Sequence, residues 1–244
     1  MPDAFTHCEK LLRDDDKDRY LATLFAPAEV RAALFALYAF DLETAHVARR
    51  VREPLAGEIR LQWWHDAISG QTPEQAAGNP VATAFLETMQ RYRLPLDRAL
   101  TLIDARRTRL YEEPLAGLDV LQDFARKTAG TVFALAARIL NNDPDNAMAD
   151  RLAAAAALAA IIDAEASSHH YAANVLAAAR GSLEQARELI GSVPDAALPA
   201  FLPLALTNAR LTLMEREAVP DIPQWRKQWI LWRASKNLAR YLSA

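Results

Sequence analysis

With 244 residues, 52% of them hydrophobic and 24% charged, the chain has an ordinary globular composition and enough material for a large buried core. Its 7 glycines favour long helices over turn-rich sheets, and a net charge of −3 supplies no basic field to hold nucleic acid, so no nucleic-acid partner is expected. The single cysteine, Cys8, excludes an intramolecular disulfide and a multi-cysteine metal site, and suits a plain thiol in a reducing cytoplasm, the expected location.

The N-terminal stretch PDAFTHCEKLLRDDDKDRY lacks the apolar core of a signal peptide, and no uninterrupted apolar run is expected to reach bilayer-spanning length. Asp14 to Asp16 place negative charge at a helix start, where the macrodipole favours it. Pro27 suits the first turn of a helix running to about Arg50; REPLAG breaks it, and Gly57 to Ser69 form a shorter one. Asn79 is placed to cap a helix that starts at Pro80, and LPLD opens another that ends near Tyr111. Asp119 to Leu140 form the next, closed by the loop signal NNDPDN. An alanine-rich helix is expected over 146–178, with Ser182 capping a short successor. Pro194 and Pro199 bracket the start of a helix reaching about Glu217, Pro220 and Pro223 stop it, and a last helix covers 224–242. No segment alternates as a strand does, and neither a repeat nor a linker is visible. The expectation is one all-α domain over 1–244, a bundle of helices packed side by side.

The helix after Pro27 carries the first polar residues of interest. At about 100° per residue, Asp41 falls inside the stripe formed by Val30, Leu34, Leu37, Tyr38 and Ala45, while Ala32, Ala36 and Ala39 lie opposite. A helix apolar nearly all round is central in its fold, and a carboxylate in its stripe must be paired, hydrogen-bonded or protonated. Asp41 is thus either a structural partner of an arginine or hydroxyl, or a cavity-lining ligand. Glu43 and His46 have the Glu-x-x-His spacing of carboxylate-bridged di-metal bundles, but Glu165 and His169, at i, i+4, do not supply the matching second motif. A carboxylate-histidine metal protein is one alternative, and a solvated pair at a helix end is the other.

RYLATLFAPAEVRAALFALYAFDLE resembles the N-terminal motif of squalene and phytoene synthases, and FARKTAGTVFALAARIL resembles their helix centred on Val-Ala-Gly. The likeness is good over residues 19–140 and returns in FLPLALTNARL and RKQWILWRASK. GEIRLQWWHDAI is more similar to a branch that includes a mitochondrial complex I assembly factor with a phytoene-synthase-like domain. The resemblance implies the all-α isoprenoid synthase bundle. It also implies, for active members, two aspartate-rich motifs whose Mg²⁺ grips each prenyl diphosphate, because the leaving group departs only once its charge is neutralised.

Carried over residue by residue, the first motif falls on Ala45, His46 and Arg49, none of them acidic. In the second, Asp163 takes one acidic position and Ser167 the other; the tyrosine before Val-Ala-Gly falls on Lys127. The resemblance therefore implies a fold whose motifs are degenerate, with Arg31, Phe35, Tyr38, Asp41, Leu42 and His46 as the cavity wall. It leads to the expectation of a non-catalytic, lipid-associated or assembly-type factor without cofactor or metal. Its expected partners are a prenyl lipid or membrane surface and a respiratory-complex protein, at the inner face of a membrane. An active prenyl-diphosphate transferase with an atypical site, and with Mg²⁺, stays open beside it.

The last helix places Trp225, Trp229 and Trp232 at i, i+4, i+7, with Arg226, Arg233 and Arg240 in a row and Lys227 and Lys236 beside them, and no acidic residue. That pattern suits either an anionic membrane surface or partner, or a terminal helix packed on the bundle with its arginines in water. Of Trp63 and Trp64, adjacent in sequence, one is expected to pack inward and the other to face a groove or a partner. Arg106, Arg107 and Arg109 are offered either to a phosphate or to nearby carboxylates in surface pairs. There is no glycine-rich phosphate loop and no G-x-S-x-G elbow, so nothing points to a nucleotide enzyme or a hydrolase.

Overall fold

The computed structural model describes residues 3–50, 53–111, 117–143, 147–165, 171–216 and 221–242, and of these leaves out the side chains of 48–50, 73, 75 and 165. The described residues form helices and turns without a strand, the all-α class expected. They gather into two compact units, residues 1–117 and 118–244.

The first unit holds α1 (Ala4–Asp15), α2 (Lys17–Thr23), α3 (Ala28–Arg50), α4 (Pro54–Ile68), α5 (Pro73–Ala77), α6 (Pro80–Tyr92) and α7 (Leu96–Thr108). Helix α3 is its axis: it packs against α1, α2, α4, α6 and α7, and Ala33 to Leu42 are buried without a break. Phe40 reaches from α3 into the centre, stacked on Phe85 at 4.1 Å and edge-on to Trp64 at 5.4 Å. Helix α1 was not anticipated from the sequence, although Cys8 and Leu12, one turn apart and buried, mark its inner face. Of the acidic run expected at a helix start, Asp14 and Asp15 instead end α1, and only Asp16 caps the next element: its carboxylate accepts from the Arg19 backbone N–H at 3.1 Å, which starts α2. Asn79 caps α6 as expected, accepting from the N–H groups of Val81 and Ala82 at 2.8 and 3.0 Å.

The second unit holds α8 (Leu118–Ala125), a π-helical turn (Arg126–Gly130), α9 (Thr131–Asn141), α10 (Ala147–Glu165), α11 (Ala173–Ile190), a 3-10 turn (Asp195–Phe201), α12 (Leu204–Glu215), α13 (Gln224–Ala234) and α14 (Leu238–Tyr241). The helix expected over Asp119 to Leu140 is thus interrupted by the π turn, where the Thr128 hydroxyl donates back to the Phe124 carbonyl at 2.7 Å. Gly130 lies buried at its end; a Cβ there would touch the Ala157 Cβ at 3.4 Å, so α9 and α10 meet closely through small residues. Asn142, with φ 48°, ends α9 in the left-handed conformation that asparagine tolerates.

Three expected boundaries are corrected. The alanine-rich segment is not one helix over 146–178 but α10 and α11 packed on each other, because small side chains let two helices approach closely and bury more surface together. Ser182 consequently caps nothing: it is buried within α11, and its hydroxyl donates to the Ala155 carbonyl of α10. Pro199, which has no N–H, sits inside the 3-10 turn, so α12 begins only at Leu204. The final segment breaks after Ala234, and Asn237 caps α14 by accepting from the Arg240 N–H at 3.1 Å.

By length and composition, Asp195–Glu215 is apolar enough to cross a bilayer, at a mean hydropathy of 1.2, against the expectation that no segment is. Half of that window is buried inside the fold, as in a core helix.

Candidate functional site

Asp41 sits 8% exposed on α3 and is gripped from two other helices. Arg106 of α7, itself 6% exposed, gives one guanidinium nitrogen to a carboxylate oxygen of Asp41 and another to the Asp41 carbonyl at 2.7 Å and to the Thr44 hydroxyl. Arg19 of α2 donates to the other carboxylate oxygen at 2.5 Å, and its Nε meets Asp16 at 2.5 Å. Burial alone would push the Asp41 carboxyl up, but Arg106 first and Arg19 second outweigh it and hold the group below its ordinary value. Asp41 is therefore an ionised structural tie among α2, α3 and α7, the first of the two readings its place in the stripe allowed.

The other expected wall residues have their own neighbours. Phe35 stacks on Tyr20 with centroids 5.7 Å apart, and Tyr38 lies beneath the Arg19 guanidinium at 5.3 Å. Leu42 is buried, and Arg31 donates from Nε to the Ala26 carbonyl at 2.8 Å, which fixes the entry to α3. Of that wall only His46 lines the pocket found in this unit, a space of about 350 Å³ bounded also by Glu43, Val47, Arg60, Trp63, Trp64 and Asn79. The two tryptophans divide as expected: Trp64 is buried at 3%, and Trp63 stands edge-on to it at 5.0 Å, half-buried. Glu43 and His46 share the pocket, and among the described residues no third His, Cys, Asp or Glu joins them as a metal-ligand group.

Ala45 and His46 are half-buried, while the side chain of Arg49, together with Ser167, His169 and the side chain of Glu165, lies outside the described residues. Lys127 is exposed on the π turn and pairs with Asp123 at 2.6 Å. Asp163 of α10 accepts, through one oxygen, from Arg210 and from the Thr207 hydroxyl of α12, both at 2.9 Å.

Arg106 and Arg107 face carboxylates. Arg106 goes inward to Asp41 instead of forming a surface pair, and Arg107 pairs with Glu58 at 2.8 Å and donates to Gln62 at 2.8 Å. A signal for Arg106 was present, because Ala99, Leu102, Ile103 and Arg106 share one face of α7, and a cation at the end of an apolar stripe needs a buried acid. Arg19, Arg60 and Asn79 carried no comparable signal as neighbours of Asp41 or of the pocket.

At the C-terminus, α13 turns Ile230, Leu231 and Ala234 into the second unit and leaves Trp225, Trp229 and Trp232 exposed at 70, 49 and 52%. Arg226 and Arg233 are exposed beside them, with the Arg233 guanidinium 5.2 Å from the Trp229 ring. Arg240 is exposed on α14, which is tied to α12 by Asn208 donating to the Tyr241 carbonyl at 2.7 Å.

A family model for squalene/phytoene synthase matches residues 12–164. The chain is 30% identical over 140 residues to NADH dehydrogenase (ubiquinone) complex I, assembly factor 6, from Rattus norvegicus, a match covering 57% of this chain and 42% of the rat protein. The human protein of that name is 30% identical over 134 residues, covering 55% of this chain and 40% of its own length, so the chain matches less than half of each of these relatives. Among solved structures, a dehydrosqualene synthase in complex with ligand superposes with a TM-score of 0.78 at 14% identity, covering 98% of this chain and 97% of its own. A squalene synthase from Alicyclobacillus acidocaldarius superposes with a TM-score of 0.65 at 20% identity, covering 88% of this chain and 94% of its own. Such identities show a shared fold and leave activity aside. The chain belongs to the squalene/phytoene synthase family, in a branch similar to complex I assembly factor 6.

Proposed function

We propose that this protein is a non-catalytic member of its family, acting from the cytoplasm as an assembly-type factor for respiratory complex I, with a complex I protein as partner. One observation carries the reading: Asp41, one turn before the first motif's positions, and Asp163, at the second motif's, are both engaged by arginine. At Asp41 both carboxylate oxygens are taken by Arg106 and Arg19, and Asp163 accepts from Arg210 and Thr207. Magnesium, which the family resemblance implies for active synthases, fits Asp41 poorly, because a cation would have to displace a guanidinium from either oxygen of that buried carboxylate. The non-acidic Ala45, His46 and Arg49, and Lys127 exposed and paired with Asp123, support the same conclusion. The similarity to complex I assembly factor 6 supports the choice of partner.

Two measurements test this. Incubation with farnesyl or geranylgeranyl diphosphate and Mg²⁺ should release no pyrophosphate above a protein-free control. Deletion of the gene in its own host should lower assembled complex I, read on a native gel, without changing the host's polyprenyl hydrocarbons. Steady pyrophosphate release, or a normal complex I level, overturns the reading.

Prenyl transfer is the second reading, favoured by the match of the squalene/phytoene synthase family model to residues 12–164. It predicts turnover that depends on Mg²⁺ and a hydrocarbon product, which the same incubation would detect.

A further inference from the structure

We infer that the outer face of α13 docks on an anionic lipid bilayer, with Trp225, Trp229 and Trp232 at the interface and Arg226 and Arg233 against the headgroups. The inference is independent of the proposed assembly role, and α13 lies outside the residues that the family model matches.

The geometry begins with a helix that has two apolar faces. Ile230, Leu231 and Ala234 point one way and are buried at 5, 0 and 1%. At about 100° per residue the three tryptophans point the opposite way, roughly 180° from that buried face. The helix therefore meets the demands of its own unit with one face and holds three large aromatic rings in water with the other. Exposed single apolar residues are ordinary, but three tryptophans aligned over two turns are a surface with a use.

Charge identifies the occupant. On the same helical projection Arg226 and Arg233 flank one edge of the tryptophan row, and Lys236 and Arg240 follow in sequence. No acidic residue occurs from Ile222 onward, although the whole chain has a net charge of −3, so the cations are gathered here against an acidic remainder. A protein partner of mixed charge has no need of a surface with cations alone, whereas an anionic bilayer is complementary to it throughout. Indole rings prefer the headgroup level, where the ring is shielded from water and the N–H still finds a partner. Arg233, lying 5.2 Å from the Trp229 ring, follows the indole toward that level and keeps its own charge available to phosphate. The structure assigns no particular headgroup; the shared chemistry is a lipid phosphate in a negatively charged surface.

The test uses the full chain and vesicles of phosphatidylcholine with or without about a third phosphatidylglycerol. The wild type should float with the anionic vesicles, far less with neutral ones, and bind more weakly as salt rises. W225A/W229A/W232A should lose at least about tenfold in vesicle affinity while keeping its circular dichroism and melting temperature, since the removed side chains are exposed. R226Q/R233Q should lose roughly 25-fold on anionic vesicles, about fivefold for each cation, and little on neutral ones. Brominated lipid should quench wild-type fluorescence and leave that of the triple-tryptophan variant unchanged, which reports contact instead of mere affinity. Equal flotation of wild type and triple variant overturns the inference. So does a triple variant that turns a dimer into a monomer in the ultracentrifuge without any change in vesicle binding, because the face would then be an interface between copies.

Discussion

Replacing Asp41 by asparagine keeps the shape of the side chain and removes its charge, leaving two guanidinium groups to face a neutral amide. Arg106 bears most of the effect, because its side chain is only 7% exposed and its bonds to the Asp41 carbonyl and the Thr44 hydroxyl, both neutral, do not replace the lost charge. Breaking a buried ion pair from one side costs about 3–5 kcal/mol, a large part of a total stability on the order of 5–15 kcal/mol. Arg19 is 21% exposed, and in R19Q the Asp41 carboxylate retains Arg106, so that substitution should cost only about 1 kcal/mol. The assay is urea unfolding followed by the fluorescence of Trp63 and Trp64 in a W225F/W229F/W232F background, so that the signal comes from the unit holding Asp41. For a chain of this size the D41N melting temperature should fall by roughly 6–20 °C. The pH dependence has a definite sign. The folded carboxyl lies below its ordinary value of 3.8, so its stabilisation is complete above that value and disappears as pH falls through the folded one. The difference between wild type and D41N should therefore be constant near neutrality and narrow in acid. A loss below about 1 kcal/mol for D41N, or equal losses for D41N and R19Q, would refute the structural role.

Two further outcomes are expected. Cys8 is fully buried and its thiol is pushed up to about 12, by burial first and then by Glu43 and Asp3, so iodoacetamide at pH 8 should react roughly a thousandfold more slowly than with an ordinary thiol. Urea should restore the ordinary rate, and rapid alkylation of native protein would contradict this packing of α1. D163N should lower the stability of the second unit by about 1–3 kcal/mol through lost bonds to Arg210 and Thr207. Millimolar Mg²⁺ should leave the melting temperature of wild type and variant alike; a magnesium-dependent rise that D163N abolishes would return Asp163 to a metal-binding role.

What the sequence could determine alone was what depends on near neighbours. Helical periodicity, proline and asparagine punctuation, and a long helix apolar on all sides are local properties, and they sufficed for the all-α class, the central place of α3 and the Asn79 cap.

Tertiary structure decided which of two permitted partners each polar or amphipathic group takes. Asp41 had to be paired, but its partners lie 22 and 65 residues away, and only the packing of α2 and α7 on α3 brings Arg19 and Arg106 to it. Ser182 reads locally as a cap, yet the meeting of α10 and α11 makes it a buried donor to Ala155. Three tryptophans on one face of α13 could equally have been core. Ile230, Leu231 and Ala234 occupy the inner side, so the larger rings were left in water. Spacing fixes which residues share a face, and burial against distant parts of the chain determines where that face looks.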